Sequence, residues 1–103
     1  MMTAVEPHAD LSWLNGVIAG NPALQAMRHR LILWEGRVIV EVVGSHWEAH
    51  AWRAATNGRI LPSSIDSSGI RRQQVIGTRV QVLVVEFPAT YPAALLPDWI
   101  GGA

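Results

Sequence analysis

The sequence predicts a two-layer α+β domain, with helices packed on one face of a three-stranded sheet. Half of its 103 residues are apolar, which is enough for one core without disulfides. Apolar residues recur at helical spacing near the start and again in the middle, and bulky or β-branched residues form three extended runs. The predicted order is helix, helix, strand, strand, helix, strand. This domain spans residues 9–87, between a flexible lead-in at 1–8 and a proline-rich apolar tail at 88–103.

The first helix is predicted to run from Asp10, which can cap it, to about Gly20. A second helix begins after Asn21, an N-cap residue followed by proline, and continues to about Arg30. The apolar residues of the first helix have the spacing of a buried stripe. That stripe consists of Leu11, Leu14 and Ile18.

Residues 31–34 and 37–43 are two apolar extended runs, and the Glu35-Gly36 pair between them suits a tight turn. Together they predict a β-hairpin. Side chains alternate between the faces of a strand, so Ile39 and Val43 share the face opposite to three valines. The valine face is predicted to be the core face, and it consists of Val38, Val40 and Val42.

A capping box marks the start of the third helix, because Glu48 follows Ser45 by three residues. Gly58 is well placed to end this helix. The helix is therefore predicted from His46 to about Asn57. Its inward stripe is predicted to consist of Trp47, Ala51 and Ala54.

The rest of the domain is predicted to be a loop at 59–69, a short helix at 70–76 and a strand at 78–87. The strand is nearly continuous in apolar residues, which is typical of a central strand buried on both faces. A two-layer domain leaves the second face of its sheet uncovered, although Ile39 and Val43 lie there. The apolar tail, a second copy or another protein would cover that face, and the sequence leaves these alternatives open.

The composition argues against several classes of function. Eight basic and eight acidic residues cancel, which removes the overall attraction to a phosphate backbone. Without cysteine there is no disulfide, thiolate nucleophile or Cys-type zinc site. The sequence has neither a signal-peptide pattern at its start nor an apolar run of the ~18 residues that a membrane span needs. A cytoplasmic protein with no membrane partner is the expectation.

His46 and His50 have the spacing of metal ligands on one helix face. A third ligand is not evident, because His8 lies in the lead-in and His29 in another helix, so we interpret the pair as surface histidines. No nucleophile motif, glycine-rich phosphate loop or carboxylate pair stands out. We therefore predict no enzyme activity, no cofactor, no metal and no small-molecule substrate.

Two basic clusters are candidates for weak DNA binding. Arg28 and Arg30 precede the first strand, and Arg71 and Arg72 precede the last one. On one side of the domain they would hold a few phosphates in a salt-dependent way. We prefer the interpretation that they are solvated arginines at helix ends, where the helix dipole stabilises cations.

Five tryptophans are many for so small a chain. Trp47 is assigned to the core. Trp13, Trp34, Trp52 and Trp99 cannot all be buried, and an exposed tryptophan is a common binding anchor. Trp34 and Trp99 have a second interpretation besides that of binding anchors, and the sequence does not favour either one. In it, Trp99 docks on the outer sheet face of its own chain, and Trp34 supports it.

The run EGRVIVEVVGSHWEAHAWRAA, residues 35–55, resembles a block of glycine, alternating strand, small-polar pair, tryptophan and helix. This block occurs in DciA-type helicase-loading proteins, in the amino-terminal domain of the initiator DnaA, and in related form in the carboxy-terminal domain of the polymerase tau subunit. In those families the last helix runs into a glycine and an alternating strand, as residues 76–80 do here. The resemblance covers about residues 10–87.

The resemblance implies a three-stranded KH-like fold that docks proteins, recruiting a helicase or polymerase component or self-associating, with weak DNA affinity. In the DnaA-like domain the docking surface lies on the helices before the hairpin. By position this implies Trp13, Leu14, Val17 and Gln25. The chain departs from the pattern by a longer, proline-interrupted link after the third helix and by its apolar tail. It also lacks the GxxG loop of RNA-binding KH domains.

We therefore expect a non-enzymatic interaction module in a replication-type assembly, whose partner is another protein or a second copy of the chain. The alternative is a structural subunit of a phage or effector complex that joins copies through the sheet face and the tail. A third hypothesis, a small enzyme or metal protein, rests on His46 and His50. The expected partner-binding residues are Trp13, Leu14, Val17, Gln25, Trp34, Ile39, Val43, Trp52 and Trp99.

Overall fold

The computed structural model describes residues 7–101, and these form four α-helices and six β-strands. The helices are α1 (Pro7–Ala19), α2 (Pro22–Gln25), α3 (His46–Thr56) and α4 (Asp98–Gly101), with a 3₁₀ turn at Ala93–Leu95. The strands are β1 (His29–Trp34), β2 (Arg37–Val43), β3 (Arg59–Ile60), β4 (Ser64–Ile65), β5 (Arg71–Ile76) and β6 (Val80–Glu86). The predicted α+β class is confirmed.

All six strands belong to one mixed sheet in the order β1-β2-β6-β5-β3, with β4 pairing the other end of β5. β2 and β6 run parallel, and the remaining pairs are antiparallel. The hairpin of β1 and β2 and the central position of β6 agree with the sequence. The sheet has six strands rather than the three of the KH-like layout, because the chain between α3 and β6 adds three more.

The strand β5 replaces the helix that was predicted over residues 70–76. Its side chains alternate, so that Gln73 and Val75 are buried on the core face. The Gln73 amide reaches back to donate to the Leu61 carbonyl at 3.0 Å. The Leu61 N–H donates to the Gln74 carbonyl at 3.0 Å, so the segment predicted as a loop runs beside β5. This hydrogen bond offsets the cost of burying the Gln73 amide.

The core lies between the helices and one face of the sheet, here called the helix face. Val38, Val40 and Val42 are fully buried there, as predicted. The parallel register places Val80, Val82 and Val84 beside them. Leu14 and Leu24 enter from the first two helices and Trp52 from α3.

The capping box of α3 is confirmed: the Trp47 N–H donates to the Ser45 hydroxyl, and Glu48 accepts from Ser45. The pKa of Glu48 is lowered because the Ser45 backbone N–H donates to its carboxylate, and the Ser45 hydroxyl donates as well at 2.7 Å. Both bonds favour the ionised form of the carboxyl group. They hold the chain at the point where it leaves β2.

The predicted phase of α3 is wrong. Trp47 is 76% exposed, whereas Trp52 is completely buried. The buried stripe consists of Ala49, Trp52 and Thr56. It is set by the strands beneath the helix, since α3 packs on β5, β6 and β3. The Trp52 indole N–H finds an acceptor in the Met27 sulfur at 3.2 Å, which allows this large side chain to be buried.

The helix α1 begins at Pro7, within the predicted lead-in, of which residues 1–6 lie outside the described part of the chain. Asp10 therefore lies inside the helix instead of capping it, and it pairs with Arg79 at 2.9 Å. The helix α2 is a single turn rather than a helix to Arg30. It ends early because His29 and Arg30 already pair with β2.

The tail contains two short helical turns and returns to β1. The Arg28 guanidinium donates to the Ile100 carbonyl at 3.0 Å. Over residues 7–101, no helix has the length and apolar character needed to cross a membrane.

Candidate interaction surface

The face of the sheet opposite to the helices, here called the outer face, carries alternating apolar and charged side chains. The strand registers align them in rows that cross β1, β2, β6 and β5. The first row consists of Arg28, Val43, Val85 and Arg72. The next two rows are Arg30, Glu41, Leu83 and Gln74, and then Ile32, Ile39, Gln81 and Ile76.

The tail covers one end of this face within its own chain. The Arg30 guanidinium lies over the Trp99 ring, 5.1 Å from its centroid, and α4 contacts β1. Val85 is only 4% exposed although it points to the outer face, and Val43 is half-buried. The Trp99 indole nitrogen is buried, and no described residue accepts its hydrogen. The tail thus covers part of the outer face of the sheet.

The opposite end of the outer face is more exposed to solvent. Trp34 is four residues along β1 from Arg30, which is about 13 Å. It is 60% exposed, while its neighbours Ile32 and Ile39 are half-buried. Trp34 thus leaves most of its surface exposed at this end of the outer face.

Strand β1 is the edge of the sheet, and its turn determines which backbone groups are free. Glu35 and Gly36 both have positive φ, 52° and 75°, as a two-residue type I′ turn requires. Such a turn makes Trp34 and Arg37 a hydrogen-bonded pair, so the even-numbered residues of β1 bond to β2. The hydrogen bond from the Val43 N–H to the Arg28 carbonyl, 3.0 Å, agrees with this pattern, because Arg28 is also even-numbered.

The N–H and C=O groups of His29, Leu31 and Leu33 consequently point away from the sheet. No backbone group in the described part of the chain pairs with them. Leu31 and Leu33 lie on the helix face opposite Val40 and Val38, yet they are 41% and 58% exposed. They are exposed because α1 and α3 pack mainly on β2, β6, β5 and β3. We call this set of free backbone groups with Leu31, Leu33 and Trp34 the β1 edge.

The helical docking residues implied by the resemblance do not form one surface. Leu14 is completely buried, so it cannot contact a partner in this fold. The same holds for Trp52, which is proposed from the number of tryptophans and not from the resemblance. Trp13 and Val17 are half-buried against the core, and Arg79 lies 5.4 Å from the centroid of the Trp13 ring. Gln25 is exposed, but its amide donates to the Ala19 carbonyl at 2.8 Å, at the end of α1.

The four arginines predicted for DNA binding each have an acceptor. Arg28 donates to the tail, Arg30 pairs with Glu41 at 2.7 Å, Arg71 lies 3.7 Å from Glu86, and Arg72 lies 2.8 Å from Asp66. By register Arg71 lies on the helix face and Arg72 on the outer face, so they do not form one basic patch. Arg28 and Arg72 share a row, three strand spacings apart, or about 14 Å.

The pKa of Asp66 is lowered by the hydrogen bond from Arg72 and by the backbone N–H groups of Ile70 and Ser68. Each of these donors stabilises the ionised carboxylate. Asp66 thereby ties the turn after β4 to β5, on the side of the sheet opposite to β1.

The histidine pair lies at the exposed start of α3. The Nε2 atoms of His46 and His50 are 2.9 Å apart, so one ring donates to the other, and the His46 Nδ1 lies 3.3 Å from the Gln73 amide oxygen. Within residues 7–101, no three side chains of His, Asp or Glu are gathered as metal ligands would be. The pair is thus engaged in hydrogen bonds within the chain.

No family model, curated protein or solved structure matches the chain. Leu31 and Leu33 are the candidate residues that sequence reasoning missed. The signal was the unbroken apolar run Leu31–Trp34, which fills both faces of a strand. Such a run is typical of an interior strand, and here it lies at an edge.

Proposed function

We propose that the chain is a non-enzymatic protein–protein interaction module that binds its partner by strand addition at the β1 edge. The observation that carries the proposal is a six-residue edge strand with free backbone groups and with Leu31, Leu33 and Trp34 exposed. An extended segment of a partner would bond to the free N–H and C=O groups and would cover these side chains.

The energetics favour such a partner over solvent. The free backbone groups already bond to water, so each new hydrogen bond contributes only about 0.5–1.5 kcal/mol. Burial of the two leucines and the tryptophan adds about 25 cal/mol for each Å² of apolar surface removed from water. Backbone pairing fixes the geometry of the contact, and the side chains supply most of its free energy.

The resemblance to replication domains adds one class of partner to the proposal, a helicase or polymerase component. The alternative assembly subunit, in which the tail joins copies, is less favoured because Trp99 already packs on Arg30 of its own chain. Weak DNA binding is also less favoured, since the arginines proposed for it are engaged with acceptors of the same chain.

The experiment is site-specific photo-crosslinking in the cells that produce the protein. A benzophenone amino acid replaces Leu33, which is 58% exposed on β1, or Ile65, which is 60% exposed on β4. The two positions are matched in exposure and lie on opposite sides of the sheet. We expect discrete adducts from position 33 alone. Equal labelling from both positions, or no adduct from position 33, would contradict the proposal.

A further inference from the structure

We propose that the partner at the β1 edge is a second copy of the chain, with the two β1 strands pairing antiparallel about a twofold axis at Ile32. This inference rests on the proposed function and names its partner. The two sheets then join into one continuous sheet, and the helices of both copies lie on the same side.

The symmetry restricts the possible registers. Residues directly opposite each other in an antiparallel pair point to the same face of the sheet. A twofold axis normal to the sheet keeps each residue on its own face, so only residues of the same parity can lie opposite each other. The free backbone groups belong to the odd-numbered residues of β1. Leu31 of one copy therefore pairs with Leu33 of the other through backbone hydrogen bonds, twice in the dimer.

Charge complementarity selects the register at Ile32. The strand is basic where it begins, at Arg28, His29 and Arg30, and its turn carries Glu35. Antiparallel pairing about Ile32 places His29 opposite Glu35 of the second copy, and Arg30 opposite Trp34. A register centred on Leu31 would instead place Glu35 opposite Met27 and Arg30 opposite Ile32. The register at Ile32 thus gives His29 an acidic neighbour and Arg30 an aromatic one, while Arg28 lies opposite Gly36.

Arg30 and Trp99 form the receptor for the exposed tryptophan. Arg30 lies over the Trp99 ring on the outer face, the same face to which Trp34 points. In the dimer Trp34 of each copy lies beside this pair, so the guanidinium has an aromatic ring on two sides. A cation next to an aromatic face is favourable, and more so when water is removed. The contact accounts for a tryptophan that is 60% exposed in the single chain.

The opposite side of the sheet is a poorer partner for β1. β3 and β4 are two residues each, and Pro62 between them has no N–H to donate. The exposed residues of this segment are Arg59, Pro62, Ser63, Ser64 and Ile65. A head-to-tail contact between β1 and this side would also leave both end copies unpaired, whereas the twofold contact closes on itself.

Single-cysteine crosslinking tests the inference, because the chain contains no cysteine. In the proposed register Ile32 faces itself as a non-hydrogen-bonded pair, with Cα atoms about 4.5 Å apart, close enough for a disulfide. We expect Ile32→Cys to form a disulfide dimer at least about tenfold faster than Ile65→Cys, through its higher effective concentration. Leu31→Cys serves as the register control and should be slow.

The unmodified chain provides the second measurement, independent of any substitution. Light scattering should give twice the 11.3 kDa mass of one chain, falling to that mass on dilution. A monomer at every concentration, or equal disulfide rates for Ile32→Cys and Ile65→Cys, overturns the inference. If position 33 then captures a different protein in cells, the proposed function stands without the dimer. If it captures nothing, both fail.

Discussion

The two edges of the sheet differ in how well they are protected against pairing with another strand. The β1 edge is six residues of regular strand with leucines and a tryptophan exposed. The opposite edge, formed by β3 and β4, consists of two-residue pieces interrupted by Pro62 and tied down by the Asp66–Arg72 pair. Short strands, proline and charge are the usual means of preventing edge-to-edge association. One edge of this sheet is protected and the other is open, and the proposed strand addition rests on this difference.

The largest effect on association is expected from a charge placed on the open edge. Leu33→Lys should weaken association at least tenfold, about 1.4 kcal/mol, because the pairing would have to desolvate an ammonium group. Analytical ultracentrifugation of the variant measures the loss. The control, Ile65→Lys on the protected edge, should associate like the unmodified chain. Equal weakening by both variants would show that the two edges do not differ.

A second effect, on stability instead of association, is expected from Gly58→Ala, which strains the protected edge where β3 begins. An added Cβ would lie 2.9 Å from the Thr56 hydroxyl and 2.9 Å from a Val75 methyl group. We expect a loss of about 1–3 kcal/mol in the free energy of unfolding, as for other overpacked sites. Urea unfolding measures it, and association through β1 should be unchanged in the folded variant.

Gly16→Ala is the matched control, since nothing lies within 4 Å of the Cβ that it would add. In the middle of α1 this change should be neutral or stabilising by up to about 1 kcal/mol. Destabilisation of both glycine variants to the same degree would contradict the assigned strain at Gly58.

The smallest effect is expected from Asp66→Asn, which releases the turn after β4. The folded-state pKa of Asp66 lies below the ordinary value of 3.8, so its ionised form stabilises the fold at neutral pH. That contribution is lost as the pH falls through the folded-state pKa. The variant should be slightly less stable than the unmodified chain at pH 7, and the difference should disappear in strong acid. A difference that persists there would exclude the ionised pair as its cause.

Local signals in the sequence were sufficient for part of the fold. The capping box at Ser45 and Glu48 marks the start of α3, and Glu35-Gly36 marks the hairpin, because both depend on residues a few positions apart. The strand at Arg71–Ile76 was missed because two arginines and two glutamines suit a helix as well as a strand. The pairing of this segment with β6 is what makes it a strand and not a helix.

The candidate site was harder to predict than the fold. The number of tryptophans makes Trp34 a candidate binding anchor, with support of Trp99 as the alternative. The phase of α3, and with it the exchange of Trp47 for Trp52 in the core, depends on which strands lie beneath the helix. The importance of Leu31 and Leu33 depends on strand order, which places β1 at an edge beyond the helices. Neither the strand order nor the set of strands beneath α3 can be predicted from residues that are close in the sequence.

Residue-specific amide hydrogen exchange tests the open edge most directly. In the dilute single chain the amides of Leu31 and Leu33 should exchange rapidly, while those of Ile32 and Trp34, which donate to β2, should be protected. As the concentration rises, Leu31 and Leu33 should become protected, and amides of the β3–β4 segment should keep their rates. Protection of Leu31 and Leu33 at every dilution, or rates at both edges that change together, would contradict the account.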